Sequence, residues 1–274
     1  MTRQTFTNIR MTLEYDGTNY AGWQRQANAM TVQQAVEEAL ENHLGENIRV
    51  TASGRTDAGV HARAQVINFQ TATGIPPDAI ARGLKAWLPR DIAALDSSAV
   101  SAEFDARRSA RLRWYRFYIS NRRPRHAIGA NYITPVVGDL SLSLMREAAD
   151  ILAGDHDFRA FRSVACTATR TQLTLHPIVL TPLPGDILQL DFRCRSFLHN
   201  MVRILTGCLI SAGRHKLLLT DIKSMLTTGN RHHQAITLAP SGLFLWDISY
   251  EETGEMPAHW QATDGLQKLR IPGT

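Results

Sequence analysis

Residues 9–15 alternate apolar and polar side chains and end at Asp16-Gly17, which predicts a strand closed by a turn. The period then changes. Val32, Ala35, Val36, Ala39 and Leu40 share one helical face between Thr31 and Gly45, and Thr31-Val-Gln-Gln34 has the form of a capping box. Residues 48–52 and 64–69 return to strand character on either side of Gly54-Arg-Thr-Asp-Ala-Gly59. Residues 78–87 predict a second helix and residues 92–100 a fourth strand, so this part reads as an α+β half with an antiparallel sheet.

A second pass through the same plan starts near Arg113. Arg113, Tyr115, Phe117 and Ile119 lie on one face of a strand, and Trp114, Arg116 and Tyr118 on the other. Leu142, Met145, Ala148, Ala149 and Leu152 make a helical stripe ending at Gly154. Strands are expected over 173–180, 187–194 and 243–250, a helix over 199–212 stopped by Gly213, and a short helix over 220–226. The expected organisation is an N-terminal half over 1–103, a C-terminal half over 104–250 and a tail over 251–274. The boundary falls within 101–109, and Trp260 is the tail's expected anchor.

A chain of 274 residues with 44% hydrophobic content can bury a sizeable core. Its longest apolar runs are far too short to span a bilayer, and the N-terminus has no apolar signal region, which points to the cytoplasm. Cys166, Cys194 and Cys208 form no CxxC pair and read as reduced thiols. No histidine pair has a metal-ligand spacing such as HExxH, and His232 and His233 are expected to point to opposite sides, so no metal is expected.

Charge adds a partner to this picture. The net charge is +5 and the isoelectric point about 9.4, and Lys85, Lys216, Lys223 and Lys268 are the only lysines among thirty basic residues. Codon usage alone can favour arginine, so clustering says more than totals. Arg107, Arg108, Arg111, Arg113, Arg116, Arg122, Arg123 and Arg125 interleave with Trp114, Tyr115, Phe117 and Tyr118, a mixture suited to a nucleic-acid surface.

The Gly54–Gly59 turn carries the candidate chemistry. An Asp in such a turn often only bonds local backbone. Here two glycines permit close approach, Arg55 stands two residues before Asp57, and His61 follows on the next strand. Ala52-Ser-Gly-Arg-Thr-Asp-Ala-Gly-Val-His-Ala-Arg-Ala-Gln-Val66 resembles the signature of the tRNA pseudouridine synthase A family. Further matching pieces follow in family order. They are Glu14-Tyr-Asp-Gly-Thr-Asn-Tyr-Ala-Gly-Trp-Gln-Arg-Gln26, Phe104-Asp-Ala-Arg107, Trp114-Tyr-Arg-Phe117, Asp157-Phe-Arg-Ala-Phe-Arg162 and Phe197-Leu-His-Asn-Met-Val-Arg203.

The resemblance implies two ferredoxin-like (RRM-like) halves sharing one mixed, mostly antiparallel sheet, with helices on one face and a basic cleft between the halves. It also implies a homodimer that grips tRNA and isomerises uridine to pseudouridine at positions 38, 39 and 40 of the anticodon stem-loop. An isomerisation requires no redox cofactor. By motif position Asp57 is the nucleophile, Arg203 its cationic partner, Tyr115 the residue stacking on the target base, and Arg55 a group that holds the base out of its stack or contacts phosphate. His61 either orients the loop, touches RNA or is a satisfied structural histidine, while Tyr20 and residues 24–26 are candidate RNA contacts. Trp23 and Phe197 read as scaffold. The competing expectation is a non-catalytic RNA-binding protein on the same scaffold.

Overall fold

The first strand, β1 (Thr7–Tyr15), buries Ile9, Met11, Leu13 and Tyr15, every second residue, as a strand with one face in a core must. The computed structural model describes residues 6–251, so the expected Trp260 anchor lies outside the described residues. The chain divides into two compact units. One comprises the chain through Arg111 together with the stretch from Phe244, and the other runs Leu112–Leu243.

In the first unit β1 is followed by α1 (Val32–Leu44), β2 (Thr51–Ala52), β3 (His61–Thr71), α2 (Pro77–Gly83), a 3-10 turn at Leu84–Ala86 and β4 (Ile92–Val100). The second unit contains β5 (Leu112–Ser120), β6 (Thr134–Pro135), α3 (Leu142–Leu152), β7 (Gly154–Asp157), β8 (Gln172–Leu175), β9 (Val179–Leu183), β10 (Ile187–Cys194), α4 (Met201–Gly213) and α5 (Leu219–Thr228). It also has 3-10 turns at Ala130–Tyr132 and Phe158–Phe161. The last strand, β11 (Leu243–Ser249), joins the first unit. There it pairs in parallel with β3, Phe244 opposite His61 and Leu245 opposite Ala62.

Within the first unit the strand order is β4-β1-β3-β11, with β1 antiparallel to both β3 and β4. The register shifts against β3 between Leu13 and Tyr15, and against β4 between Thr12 and Leu13. A bulge in each pairing therefore sits at the end of β1 that leads into the Asp16-Gly17 turn. Thr31 caps α1 by accepting the Gln34 N–H at 3.3 Å, and Gly45, at φ 69°, closes it with an N–H to the Glu41 carbonyl. The Gln34 amide reaches Glu38 rather than the cap. Of the strand expected over 48–52, only Thr51 and Ala52 pair with β3. The Val50 N–H goes instead to Glu37, a carboxylate 2% exposed that also holds Arg49 at 2.6 Å and Arg25 at 3.1 Å.

In the second unit β5 and β10 pair antiparallel from Ser120–Ile187 to Arg113–Cys194, and all nine β5 residues are buried. β9 and β8 follow one another along β10, and β6 lies parallel to β5. Each unit is thus a mixed α+β assembly in which antiparallel pairing predominates. The strand expected over 173–180 is two strands, because Pro177 has no N–H to give a ladder. Helix α3 has the expected bounds and packs against α4 and α5.

Three local expectations are corrected. The helix expected over 199–212 starts two residues later and takes in Gly213 as its last residue, since α4 spans Met201–Gly213. A Cβ there would lie 2.7 Å from Met145 Cγ, so the glycine permits close approach of α3, and the left-handed residue is His215 at φ 57°. His232 and His233 do not diverge. Their ring centroids are 4.2 Å apart, because residues 232–235 form a turn closed by the Ala235 N–H on the His232 carbonyl. Arg113 and Arg116 are not surface residues. Arg116, 3% exposed, donates from Nε and Nη2 to Asp191, which also accepts from Trp114 Nε1 at 2.7 Å. Arg107, Arg108, Arg123 and Arg125 are exposed, as a nucleic-acid surface requires.

Candidate active site

Asp57 lies on the loop between β2 and β3, and its surroundings in the first unit account for most of the Glu14–Gln26 segment. Thr56 is gripped on two sides. Its carbonyl accepts the Trp23 N–H at 3.0 Å, and its hydroxyl hydrogen-bonds the Tyr15 hydroxyl at 2.8 Å in a buried contact. The Asp57 carbonyl accepts the Val60 N–H at 3.1 Å, and the Gly59 N–H reaches the Tyr20 carbonyl at 3.3 Å. Under the loop, Ser53 Oγ donates to Gln65 Oε1 and Gln65 Nε2 donates to the Gly54 carbonyl, both at 2.7 Å. Ser53 and Gln65 are fully buried, and these side-chain hydrogen bonds offset the desolvation of their polar atoms.

Residues 22 and 23 connect this loop to α1. The Gly22 and Trp23 carbonyls accept the Val32 and Gln33 N–H groups, two of the donors that a helix start leaves without intrahelical partners. Trp23 then turns its own N–H to Thr56. Gly22 sits at φ 90°, and a Cβ there would lie 2.7 Å from the Thr56 carbonyl oxygen and 3.1 Å from the Asp57 carbonyl carbon. At Gly17 a Cβ would collide with the Val60 carbonyl. The two glycines let one loop lie directly against the other.

His61 is 1% exposed. Its Nδ1 receives the Gly17 N–H at 3.1 Å, lies 3.0 Å from Asp16 Oδ1, and its ring stacks on Phe244 with centroids 4.7 Å apart. Of the roles considered for it, loop orientation matches these contacts, and its burial leaves no ring face for RNA. Tyr20 is buried to the same degree as Tyr115, and its hydroxyl is engaged within the protein, donating to Asp91 at 2.6 Å. Burial, reinforced by Asp91, pushes that hydroxyl well above the usual phenol range. Trp23 is buried scaffold. Gln24, Arg25 and Gln26 are exposed, as is Arg55, while Asp57 is half-buried.

Tyr115 and Arg203 belong to the second unit. Tyr115 is on β5 opposite Phe192 of β10, with its ring edge-on to Phe197 at 5.1 Å between centroids. It is 7% exposed. Arg203, in the first turn of α4, donates from Nε to the Leu238 carbonyl at 2.7 Å and from Nη1 to Asn200 Oδ1 at 2.8 Å. The segment carrying Leu238 runs along α4: Ser211 donates to the Gln234 carbonyl, and a Cβ at Gly207 would collide with the Ile236 carbonyl. Arg203 is half-buried and is held by backbone and side chain rather than solvated. Sequence reasoning missed Tyr15, Gly17, Gly22 and Thr56 as parts of the loop's support. Their signal was the Tyr15-Asp-Gly and Ala21-Gly-Trp pieces, whose glycines mark close approach.

A half-buried carboxylate on a braced Gly-Arg-Thr-Asp loop, within a mixed α+β chain, is set among motifs that run through both units. The chain belongs to the tRNA pseudouridine synthase family, which it matches over residues 11–107 and 148–251. Among curated relatives, the tRNA pseudouridine synthase A of Pseudoalteromonas atlantica is 41% identical over 249 residues, covering 91% of this chain and 94% of the relative. That of Pelobacter propionicus is 40% identical over 242 residues, covering 88% and 99%. That of Geotalea daltonii is 40% identical over 243 residues, covering 89% and 99%. No described helix is long and apolar enough to cross a membrane.

Proposed function

We propose that this chain isomerises uridine to pseudouridine in tRNA, at positions 38, 39 and 40 of the anticodon stem-loop, with Asp57 as nucleophile. Family membership over both units supports the reaction class. The assignment of Asp57 rests on its motif and on a loop whose backbone is fixed on both sides of that residue.

In the reaction the N1–C1′ bond breaks, a C5–C1′ bond forms, the C5 proton leaves and N1 takes a proton. The atoms balance without an oxidant or reductant. Covalent attack by a carboxylate, at uracil C6 or at ribose C1′, divides this exchange into two easier steps. By motif position Arg203 is the cation assigned to keep Asp57 ionised once a base has displaced water, since a nearby opposite charge favours the charged form. Tyr115, whose ring lies edge-on to Phe197, is by motif position the residue that stacks on the target base. Exposed Arg55 holds the nucleotide out of its stack, a step that stem residues require before any side chain reaches them. Exposed Arg107, Arg108, Arg123 and Arg125 supply phosphate contacts. The reading extends to a cytoplasmic homodimer, which sedimentation of the purified chain with and without tRNA tests.

Asp57→Ala should abolish tritium release from C5-labelled tRNA while tRNA affinity changes little, because contacts to phosphate supply most of the binding. Release at the wild-type rate overturns the assignment of Asp57. Wild-type protein that binds tRNA and never releases label instead favours a non-catalytic RNA-binding protein.

A further inference from the structure

The loop carrying Asp57 has no helix or long strand of its own to stiffen it, yet the residue before the acid is constrained through both its carbonyl and its hydroxyl. The hydroxyl contact comes from Tyr15, the last residue of β1, where the two register shifts re-aim the strand end. Tyr15 is 3% and Thr56 6% exposed, so their bond is shielded from exchange with water. Burial, the largest influence, pushes the Tyr15 hydroxyl well above the usual phenol range, with the Thr56 and Gln65 side chains acting in the other direction. The group therefore stays a neutral phenol. Its ring is steadied by Trp23, 6.1 Å between centroids, the residue whose N–H takes the Thr56 carbonyl. Two neighbouring aromatic residues thus hold opposite ends of one threonine, and the adjoining peptide leads directly into Asp57.

We propose that Tyr15 and Thr56 form a positioning pair that fixes the Asp57 carboxylate for attack on the target nucleotide. The proposal rests on Asp57 being the nucleophile. Neither hydroxyl touches substrate; their effect is on where Asp57 stands. Catalytic geometry tolerates little slack, and a misplacement of about 1 Å costs on the order of 10²-fold in rate. RNA binding is distributed over exposed arginines and does not depend on the pair.

The test compares Tyr15→Phe, Thr56→Val and Thr56→Ser with wild type and with Asp57→Ala, by single-turnover tritium release, tRNA affinity and thermal midpoint. Tyr15→Phe and Thr56→Val should each slow release on the order of 10²-fold at saturating enzyme, with tRNA affinity unchanged. Thr56→Ser, which keeps the hydroxyl, should restore the rate to within a few-fold. The double variant Tyr15→Phe/Thr56→Val should be no slower than the worse single variant, since both remove one bond. A wild-type release rate in Thr56→Val, or equal slowing in Thr56→Ser and Thr56→Val, overturns the proposal. The Thr56 pair decides the matter even if Tyr15→Phe fails to fold. An inactive Asp57→Ala beside a fully active Thr56→Val sinks the positioning pair alone. An active Asp57→Ala sinks the nucleophile assignment instead.

Discussion

Arg116 on β5 and Asp191 on β10 stand directly opposite each other and share a two-pronged ion pair, Nε at 2.7 Å and Nη2 at 3.3 Å from the two carboxylate oxygens. Both are nearly inaccessible to water, and Trp114 and Gln189 also donate to the same carboxylate. Arg193, beside them and over the Trp114 ring, adds a second buried cation. Asp191→Ala strands these groups, and removing one partner of a buried pair costs about 3–5 kcal/mol. Urea denaturation should show that loss as a lower midpoint with an unchanged slope. A midpoint within experimental error of wild type contradicts the pair's structural role. Arg116→Met/Asp191→Ala should lose less than the sum of its single variants.

Gly22 and Gly45 both have positive φ, but different neighbours. Around Gly45 a Cβ meets nothing within 4 Å, whereas at Gly22 it presses on the Thr56 and Asp57 peptides. Gly45→Ala should cost only the left-handed strain, about 1–2 kcal/mol, and leave activity intact. Gly22→Ala should lower the thermal midpoint further and also slow pseudouridine formation, because relieving the contact displaces the loop. Equal activity in the two variants is the result that counts against this account.

Acid should weaken the second unit through His176. Burial first, and then the Arg193 guanidinium, hold its imidazole below the usual range. The unfolded chain therefore accepts the proton first. This contribution to stability is complete above about pH 6.5 and is lost as pH falls through the lower folded value. Thermal midpoints taken at about pH 7.5 and about pH 5.5 should fall further in wild type than in His176→Gln. An equal fall in both proteins removes His176 from the acid response.

Local periodicity identified the parts of the fold whose cause is local. The stripe over 142–152 and the strand expected over 92–100 have the bounds of α3 and β4, and the apolar face of α1 is buried as read. Expectations failed where a distant partner decides. Arg116 reads as surface until Asp191 arrives on another strand, and the partner of the Tyr20 hydroxyl, Asp91, is likewise far away in the chain. Val50 leaves its strand because Glu37 accepts its N–H. The candidate site divides in the same way. Asp57, Arg55, Tyr115 and Arg203 were named by motif, whereas the support beneath Asp57 comes from chain pieces that only folding brings beside it.

The pairing of β11 with β3 bears on how the chain is made. Ribosomal synthesis delivers β1, β3 and the Asp57 loop early, but Phe244, the stacking partner of His61, emerges only after the whole second unit. A nascent chain that has just released Arg111 therefore carries β3 with the edge reserved for β11 still unpaired, and His61 without its aromatic neighbour. An open edge of this kind invites wrong partners. The first unit cannot be finished in the order in which it is translated, and the Asp57 loop gains its final support late in synthesis.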